Sequence, residues 1–139
     1  MKADLREAVL DASIFIQAFV KEQYSEKALK LLGSLKTIYA PPLLPYEAGN
    51  TLIILNRRGF ISREDALTLS SMILRVPNLE IREHSVEEAV KLALKLHLTL
   101  YDASYIQLSK ELRLPLITAD NTQYERGKRE TDVIHAREI

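Results

Sequence analysis

The alternation of short apolar segments with longer segments of helical spacing most constrains the fold of this chain. Five apolar segments have the length and composition of buried strands: AVLD at 8–11, TIYA at 37–40, LEIRE at 79–83, PLITAD at 115–120 and DVIHA at 132–136. Between them the apolar period changes from two residues to about 3.6. Short strands that alternate with helices predict a parallel sheet covered on both faces, a three-layer α/β/α sandwich.

Five segments have the spacing and boundary residues of helices. Gly59 and Pro77 end two of them, and the capping boxes SVEE and TLYD begin two others. The predicted helices span residues 25–35, 43 to about 58, 62–76, 85 onward and 99 to about 113. Because the second and third lie between consecutive strands, we expect them to form an antiparallel excursion from the sheet.

The composition favours a single domain over residues 1–139. A chain of this length with 47% hydrophobic residues can bury one sizeable core. Nineteen basic residues balance nineteen acidic ones, so the field of a strongly basic nucleic-acid binder is absent and any such contact needs a local patch. The chain has no cysteine, which excludes disulfides, thiolate metal sites and thiol chemistry.

Targeting signals and several familiar site types are missing. No segment approaches the ~18 apolar residues of a membrane span, and MKADLREAV at 1–9 is too charged for a secretory leader, so we expect a cytoplasmic protein. The three histidines lack metal-ligand spacing, and the four glycines form no Walker or Rossmann loop. The D-x-D of haloacid-dehalogenase phosphatases and the acidic pair of receiver domains are also absent after the first strand.

Two predicted strands end in aspartate, Asp11 and Asp120. Ligands bind outside the carboxyl ends of the strands in an open parallel sheet, so we expect both side chains to face one crevice. Asp11 lies between apolar residues, where an ionised carboxylate without a partner would cost several kcal/mol or more. Alternatively, each aspartate caps the turn or helix that follows it, since aspartate is a favourable N-cap residue.

Two further acids lie near helix starts. Glu47 follows three prolines in PPLLPYEAGN, and Asn50 and Thr51 share its helix face and could orient its carboxylate. Asp102 occupies the third helical position of the TLYD capping box. The helix dipole explains Glu47 and the capping box explains Asp102 without any further role for either acid. A carboxylate that is held ionised at a helix start is, however, also suited to bind a metal ion.

Taken together, the four acids resemble the PIN domain family in their order and in the elements between them: Asp11, Glu47, Asp102 and Asp120. That family also has a serine two residues after the first aspartate and a T-x-D at the end of strand four, here Ser13 and Thr118. The resemblance covers nearly the whole chain, and the short chain is most similar to VapC-type toxins of toxin–antitoxin pairs. It implies a five-stranded parallel sheet in the order 3-2-1-4-5.

The resemblance also implies a metal-dependent endoribonuclease that leaves 5′-phosphate and 3′-hydroxyl ends. Four carboxylates in one crevice repel one another, and Mg²⁺ or Mn²⁺ relieves that repulsion and activates water for attack on a phosphodiester. We expect Asp11 and Asp102 to hold the principal ion and Glu47 to contribute directly or through water. Asp120 would complete or bridge a second ion. Three polar residues would orient these acids: Ser13, Asn50 and Thr118.

The expected partners are an RNA substrate, a cognate antitoxin and a second copy of the chain. Basic clusters at helix ends are RNA-binding candidates, although the helix dipole alone explains a cation there: Arg57, Arg58, Lys110, Arg113, Arg126, Lys128 and Arg129. The region of the first three predicted helices has more apolar residues than one helix face can bury, which predicts a homodimer surface. Alternatively, these residues belong to the core. They are Tyr24, Leu55, Ile61, Leu67, Leu69, Met72, Ile73 and Leu74. The alternative function is a PIN-like module that binds RNA or protein without cleavage.

Overall fold

The computed structural model describes residues 5–139, so the first four positions of MKADLREAV lie outside the described residues. Strands and helices alternate along this part of the chain: β1 (Glu7–Leu10), α1 (Ala12–Phe19), α2 (Ser25–Ser34), β2 (Thr37–Ala40), α3 (Leu44–Arg57), α4 (Arg63–Leu74), β3 (Leu79–Ile81), α5 (Val86–Leu96), α6 (Leu100–Leu112), β4 (Leu116–Thr118), α7 (Asn121–Gly127) and β5 (Val133–His135). A short 3₁₀ helix, Ala136–Glu138, follows β5. No helix within 5–139 is long and apolar enough to cross a membrane.

The five strands form one parallel sheet in the order β3-β2-β1-β4-β5. This arrangement confirms the predicted α/β fold and its strand order. The central strand β1 has Ala8, Val9 and Leu10 fully buried, as expected for a strand covered by helices on both faces. The carboxyl ends of β1 and β4 therefore lie side by side in the middle of one sheet edge.

Two helices, α1 and α7, were missed in the sequence prediction. Five of the eight residues of α1 are buried, so its apolar residues surround the helix and conceal the 3.6-residue period. The seven residues of α7 are too few to establish a period. Each missed helix begins directly after a strand-end aspartate, and the strands accordingly end earlier than predicted, at Leu10 and Thr118.

The excursion between β2 and β3 consists of α3 and α4, as predicted. Pro45 lies at the start of α3, where a missing backbone N–H has no cost. Gly59 adopts a φ of 80° after the helix, a conformation that favours glycine. The start of α3 lies beyond the carboxyl end of β2, and this position brings its first turn to the same sheet edge as the ends of β1 and β4.

Candidate active site

A pocket of about 310 Å³ opens at the carboxyl edge of the sheet, and all four predicted acids line it. The lining residues are Asp11, Ala12, Ser13, Ile16, Gln17, Glu22, Glu47, Thr51, Asp102 and Asp120. Four different elements or their caps supply the acids: α1, α3, α6 and α7. The topology thus brings together carboxylates that are up to 109 positions apart in the sequence (120 − 11).

Asp11 is the buried member of the group, with 5% of its surface exposed. It is the N-cap of α1, and its Oδ1 accepts a hydrogen bond of 3.1 Å from the Ser13 backbone N–H. The Ser13 hydroxyl also donates to Oδ1, and the Thr118 hydroxyl donates to Oδ2 at 2.5 Å. Both carboxylate oxygens are therefore held, and the capping role coexists with a position in the pocket.

The same two hydroxyl groups fix the segment that carries Asp120. The Ser13 Oγ accepts a 2.8 Å hydrogen bond from the Ala119 N–H, and the Thr118 Oγ1 accepts one of 3.0 Å from the Asp120 N–H. Each hydroxyl thus donates its proton to Asp11 and accepts from the chain after β4. Ser13 and Thr118 therefore contact both the carboxylate of Asp11 and the backbone beside Asp120.

Burial raises the pKa of Asp11 from 3.8 to about 7. The hydrogen bonds from Ser13 and Thr118 lower this pKa, and the negative charges of Glu47 and Asp102 raise it further. The desolvation of the ionised carboxylate outweighs its hydrogen bonds. The protein environment therefore favours the protonated form of Asp11 far more than water does.

Glu47 lies in the first turn of α3 and is half-buried. Burial and the charges of Asp102 and Asp120 raise its pKa, and the nearby Tyr105 hydroxyl lowers it. Thr51 donates from its hydroxyl to the backbone carbonyl of Glu47 at 3.1 Å, so it bonds the backbone and not the carboxylate.

The predicted orienting role of Asn50 has no direct contact to support it. Asn50 is exposed and lines a groove beside the acid pocket. Within residues 5–139, its side chain makes no hydrogen bond to the Glu47 carboxylate. The sequence prediction relied only on the fact that Asn50 and Glu47 share a helix face. In the structure, the side chain of Asn50 lies toward the neighbouring groove instead.

Asp102 and Asp120 are tied together by Gln123, which the sequence analysis did not identify. The Asp102 N–H donates to the Thr99 hydroxyl at 3.1 Å, which confirms the helix start predicted at TLYD. Asp120 caps α7 by accepting the Gln123 N–H at 2.9 Å, and the buried Gln123 amide donates to the Asp102 carbonyl at 3.0 Å. Burial, then the charge of Asp120, raises the pKa of Asp102, and the Thr99 hydroxyl lowers it.

The charge of the acid pocket is uncompensated by the described part of the chain. No Lys, Arg or His lines the pocket, and none of the four acids forms an ion pair within residues 5–139. Mutual repulsion contributes to the raised pKa values of three of them: Asp11, Glu47 and Asp102. A positively charged ligand in the pocket would relieve this repulsion.

The donor set fits a hard divalent cation, although it is not a closed cage. No three His, Cys, Asp or Glu side chains of residues 5–139 are arranged closely enough to hold a metal ion as they stand. Mg²⁺ keeps several waters and is usually bound through one or two carboxylates, so a closed cage is not required. Every charged group in the pocket is a carboxylate, the ligand type that Mg²⁺ and Mn²⁺ prefer.

Tyr105 is a second feature that the sequence analysis missed. It is fully buried on α6, and its hydroxyl faces the Glu47 carboxylate without forming a hydrogen bond of normal geometry there or elsewhere in the described chain. The charge of Glu47, after burial, is the largest contribution to its raised pKa, which places the hydroxyl beside that carboxylate. Its position three residues after Asp102, on the same helix face, was the available sequence signal.

The predicted RNA-binding cations lie outside the acid pocket. Arg57 and Arg58 are exposed at the far end of α3, about 15 Å along the helix from Glu47. Lys110 pairs with Glu130 at 3.0 Å, and Arg126 donates to the His97 carbonyl. The remaining candidates are also absent from the pocket lining: Arg113, Lys128 and Arg129.

Comparison with known proteins gives a consistent set of relatives. The PIN domain family matches residues 8–129. Ribonuclease VapC3 of Pyrobaculum aerophilum is 30% identical over 122 residues, which cover 85% of this chain and 92% of that protein. The crystal structure of PAE2754 from P. aerophilum is similar, with a TM-score of 0.73, 23% identity and coverage of 96% of this chain and 92% of that one.

Two further solved structures share the fold at lower identity. VapC20 of Mycobacterium tuberculosis, described as a toxin that cleaves the sarcin–ricin loop, has a TM-score of 0.63 and 13% identity, with coverage of 84% of this chain and 92% of that one. A toxin–antitoxin complex from Klebsiella pneumoniae contains a chain with a TM-score of 0.63 and 19% identity, and the match covers 95% of this chain and 99% of that chain. At these identities the similarity concerns the fold.

Proposed function

The chain belongs to the PIN domain family, and from this membership we propose that it is a Mg²⁺- or Mn²⁺-dependent endoribonuclease. One observation supports the proposal above the others. Four carboxylates from distant parts of the sequence line a single pocket at the sheet edge, and no basic residue in the described chain neutralises them. A module that binds no cation would gain nothing from this arrangement, because the repulsion weakens the fold.

Asp11 and Asp102 are the proposed principal metal ligands. The Ser13 and Thr118 hydroxyls hold both oxygens of Asp11 in place, and the helix start holds the backbone of Asp102. Glu47 would contribute directly or through water, and exposed Asp120 would complete or bridge a second ion at the rim. A bound cation would lower the pKa of water for attack on a phosphodiester and neutralise charge on the phosphate oxygens.

RNA is the proposed substrate because a curated relative that is 30% identical to this chain, Ribonuclease VapC3, is a ribonuclease. A toxin role and an antitoxin partner are proposed from the same set of relatives, which includes a solved toxin–antitoxin complex from Klebsiella pneumoniae. Both remain proposals for this chain.

A homodimer through the region of α2 to α4 is also proposed. Of the eight residues predicted to form the dimer surface, Leu67, Met72 and Leu74 are exposed and Ile73 is buried in the core. The other four are partly buried: Tyr24, Leu55, Ile61 and Leu69. Phe60, at 72% exposure, adds to the exposed apolar surface. Light scattering at tens of micromolar tests this proposal, because a particle of about 32 kDa is expected for a dimer of the 15.9 kDa chain.

Calorimetric titration with Mg²⁺ and Mn²⁺, combined with a cleavage assay on single-stranded RNA, tests the proposed function. We expect wild-type protein to bind the ion and to cleave, and Asp11→Asn to lose both properties. EDTA should abolish cleavage. If wild-type protein gives no metal-dependent signal in either assay, the non-catalytic binding module becomes the better interpretation.

A further inference from the structure

A second groove of about 390 Å³ adjoins the acid pocket. It is lined by Leu43, Tyr46, Glu47, Asn50, Thr51 and Tyr101. Glu47 and Thr51 line both cavities, so the groove continues directly from the acid pocket. A ligand that extends from the acid pocket past Glu47 and Thr51 therefore enters the groove.

Two tyrosines dominate the exposed surface of this groove. Tyr46 is 81% exposed and Tyr101 is 61% exposed. Each directly precedes an acid of the pocket, Tyr46 before Glu47 on α3 and Tyr101 before Asp102 on α6. Neither hydroxyl makes a hydrogen bond within the described chain. The described chain therefore provides no polar contact that would hold these rings at the surface.

The electrostatics of the two cavities limit how a nucleic acid can be held there. No Lys, Arg or His lines either cavity, while acids line both. Phosphate contacts, the usual source of nucleic-acid affinity, are therefore absent next to the proposed cleavage site. Affinity at this point has to come from uncharged contacts, and aromatic faces provide them, because every base presents a face for stacking.

We propose that Tyr46 and Tyr101 form a stacking site for an unpaired nucleobase next to the scissile phosphate. Asn50, exposed in the same groove, presents an amide donor and acceptor to the edge of that base. The proposal rests on the proposed ribonuclease function and adds to it a requirement for single-stranded RNA. Bases in a duplex are stacked on one another and offer no free face to the tyrosines.

A nucleobase suits this groove better than a protein segment does. Two aromatic rings form most of the exposed surface of the groove, and they match the flat face of a base. A base also enters with the phosphate that a metal ion in the acid pocket would bind. One strand then occupies both cavities in continuity.

Binding of a set of short single-stranded RNAs, one intact and the others each with one abasic nucleotide at a different position, tests the stacking site. Anisotropy is measured in Ca²⁺, which binds oxygen ligands but is expected not to support cleavage. With wild-type protein, moving the abasic position along the strand should reveal one position where affinity falls about 10-fold or more. Tyr46→Ala and Tyr101→Ala should weaken binding of the intact strand and remove this dependence, whereas Tyr46→Phe and Tyr101→Phe should keep it.

Leu94→Ala is the matched control, because Leu94 is an equally exposed apolar side chain on α5, outside both the groove and the proposed dimer surface. Wild-type affinity that is the same at every abasic position overturns the stacking site while leaving the ribonuclease function intact. Alanine variants that bind like wild type but change the particle mass in light scattering show that a second copy covers the groove, which also overturns it. Failure of wild-type protein to bind or cleave any RNA rejects the proposed function, and the stacking site with it.

Discussion

Thr118 donates a 2.5 Å hydrogen bond from its Oγ1 to the Oδ2 of Asp11, and it joins the ends of two neighbouring parallel strands, β4 and β1. Thr118 is fully buried and Asp11 is nearly so. A buried hydrogen bond to a carboxylate contributes more than one between neutral groups. This bond therefore fixes the most buried acid of the pocket before any ligand arrives.

Thr118→Ala is expected to weaken metal binding and RNA cleavage by roughly 10- to 100-fold, because Asp11 loses one of the two hydroxyl groups that orient its carboxylate. The free energy of unfolding should also fall, by about 1–3 kcal/mol, as a buried acceptor loses its donor. Calorimetry and chemical denaturation measure the two effects. Thr118→Ser retains the hydroxyl and should recover most of both, so an equally impaired serine variant would show that the methyl group is what matters.

The pH dependence of stability should change in Asp11→Asn. The pKa of Asp11 is about 7 in the folded protein, and its ordinary value is 3.8. Between pH 3.8 and 7, the folded state therefore binds a proton at Asp11 that the unfolded state has released. Stability from Asp11 is therefore fully present below pH 3.8 and is lost as the pH rises through 7. Over this window the loss approaches about 4 kcal/mol.

Denaturation in EDTA between pH 4.5 and 8 measures this effect. The wild-type free energy of unfolding should fall relative to that of Asp11→Asn as the pH rises. Glu64→Gln, a change at an exposed acid of α4 outside the pocket, serves as the control and should leave the wild-type slope unchanged. Parallel curves for wild type and Asp11→Asn would mean that Asp11 is ionised normally in the folded protein.

Tyr105→Phe should leave the metal-free protein as stable as wild type, or more stable, because it removes a buried hydroxyl that has no partner. The same variant should bind Mg²⁺ about 10-fold more weakly if the hydroxyl donates to Glu47 once a cation holds that carboxylate ionised. Thermal melting with and without Mg²⁺ measures both quantities. The chain has six tyrosines and no tryptophan, so near-ultraviolet difference spectra also report on this residue.

Tyr124→Phe is the control for Tyr105→Phe, since Tyr124 packs against His135 and lies outside the acid pocket. It should leave the Mg²⁺-induced rise in melting temperature unchanged. A metal-free Tyr105→Phe protein that is destabilised by more than about 1 kcal/mol would contradict the prediction, because such a loss requires a hydrogen-bond partner for the hydroxyl.

The sequence predicted the sheet well because each strand is a short apolar segment with polar or helical neighbours. It also predicted that Asp11 and Asp120 meet, because strand ends in a parallel sheet share one edge. Residues that act through tertiary contact had no comparable signal. Gln123 reaches Asp102 only after α6 and α7 pack together, and Tyr105 meets Glu47 only after α3 and α6 come to the same sheet edge. The loop residue Glu22 reaches the pocket only after α1 forms.

The cation predictions were less informative for a related reason. Lysine and arginine are common at helix C-termini, where the dipole favours them, so sequence position alone does not separate binding residues from capping ones. In the structure, Lys110 forms an ion pair with Glu130, and Arg126 closes the end of α5 by donating to the His97 carbonyl. Arg57 and Arg58 form no ion pair within residues 5–139 and remain the better candidates.

Asp11→Asn and Arg57→Ala should affect cleavage of single-stranded RNA in different ways. Removing a proposed metal ligand should lower the cleavage rate by orders of magnitude at saturating RNA, because the ion that activates water is lost. Removing the exposed Arg57, about 15 Å along α3 from Glu47, should weaken RNA binding and reduce its salt dependence while the rate at saturation stays near wild type. Single-turnover cleavage over a range of RNA and salt concentrations separates the two.

Glu88→Gln offers a matched control, since Glu88 is exposed on α5 and pairs only with Lys91 at 3.0 Å. It should change neither binding nor rate. If Asp11→Asn cleaves at a near wild-type rate in a preparation free of other nucleases, the acid pocket is not the catalytic site. In that case the uncompensated charge of the pocket needs another explanation, and a binding module that recruits a cation without cleavage accounts for the geometry better.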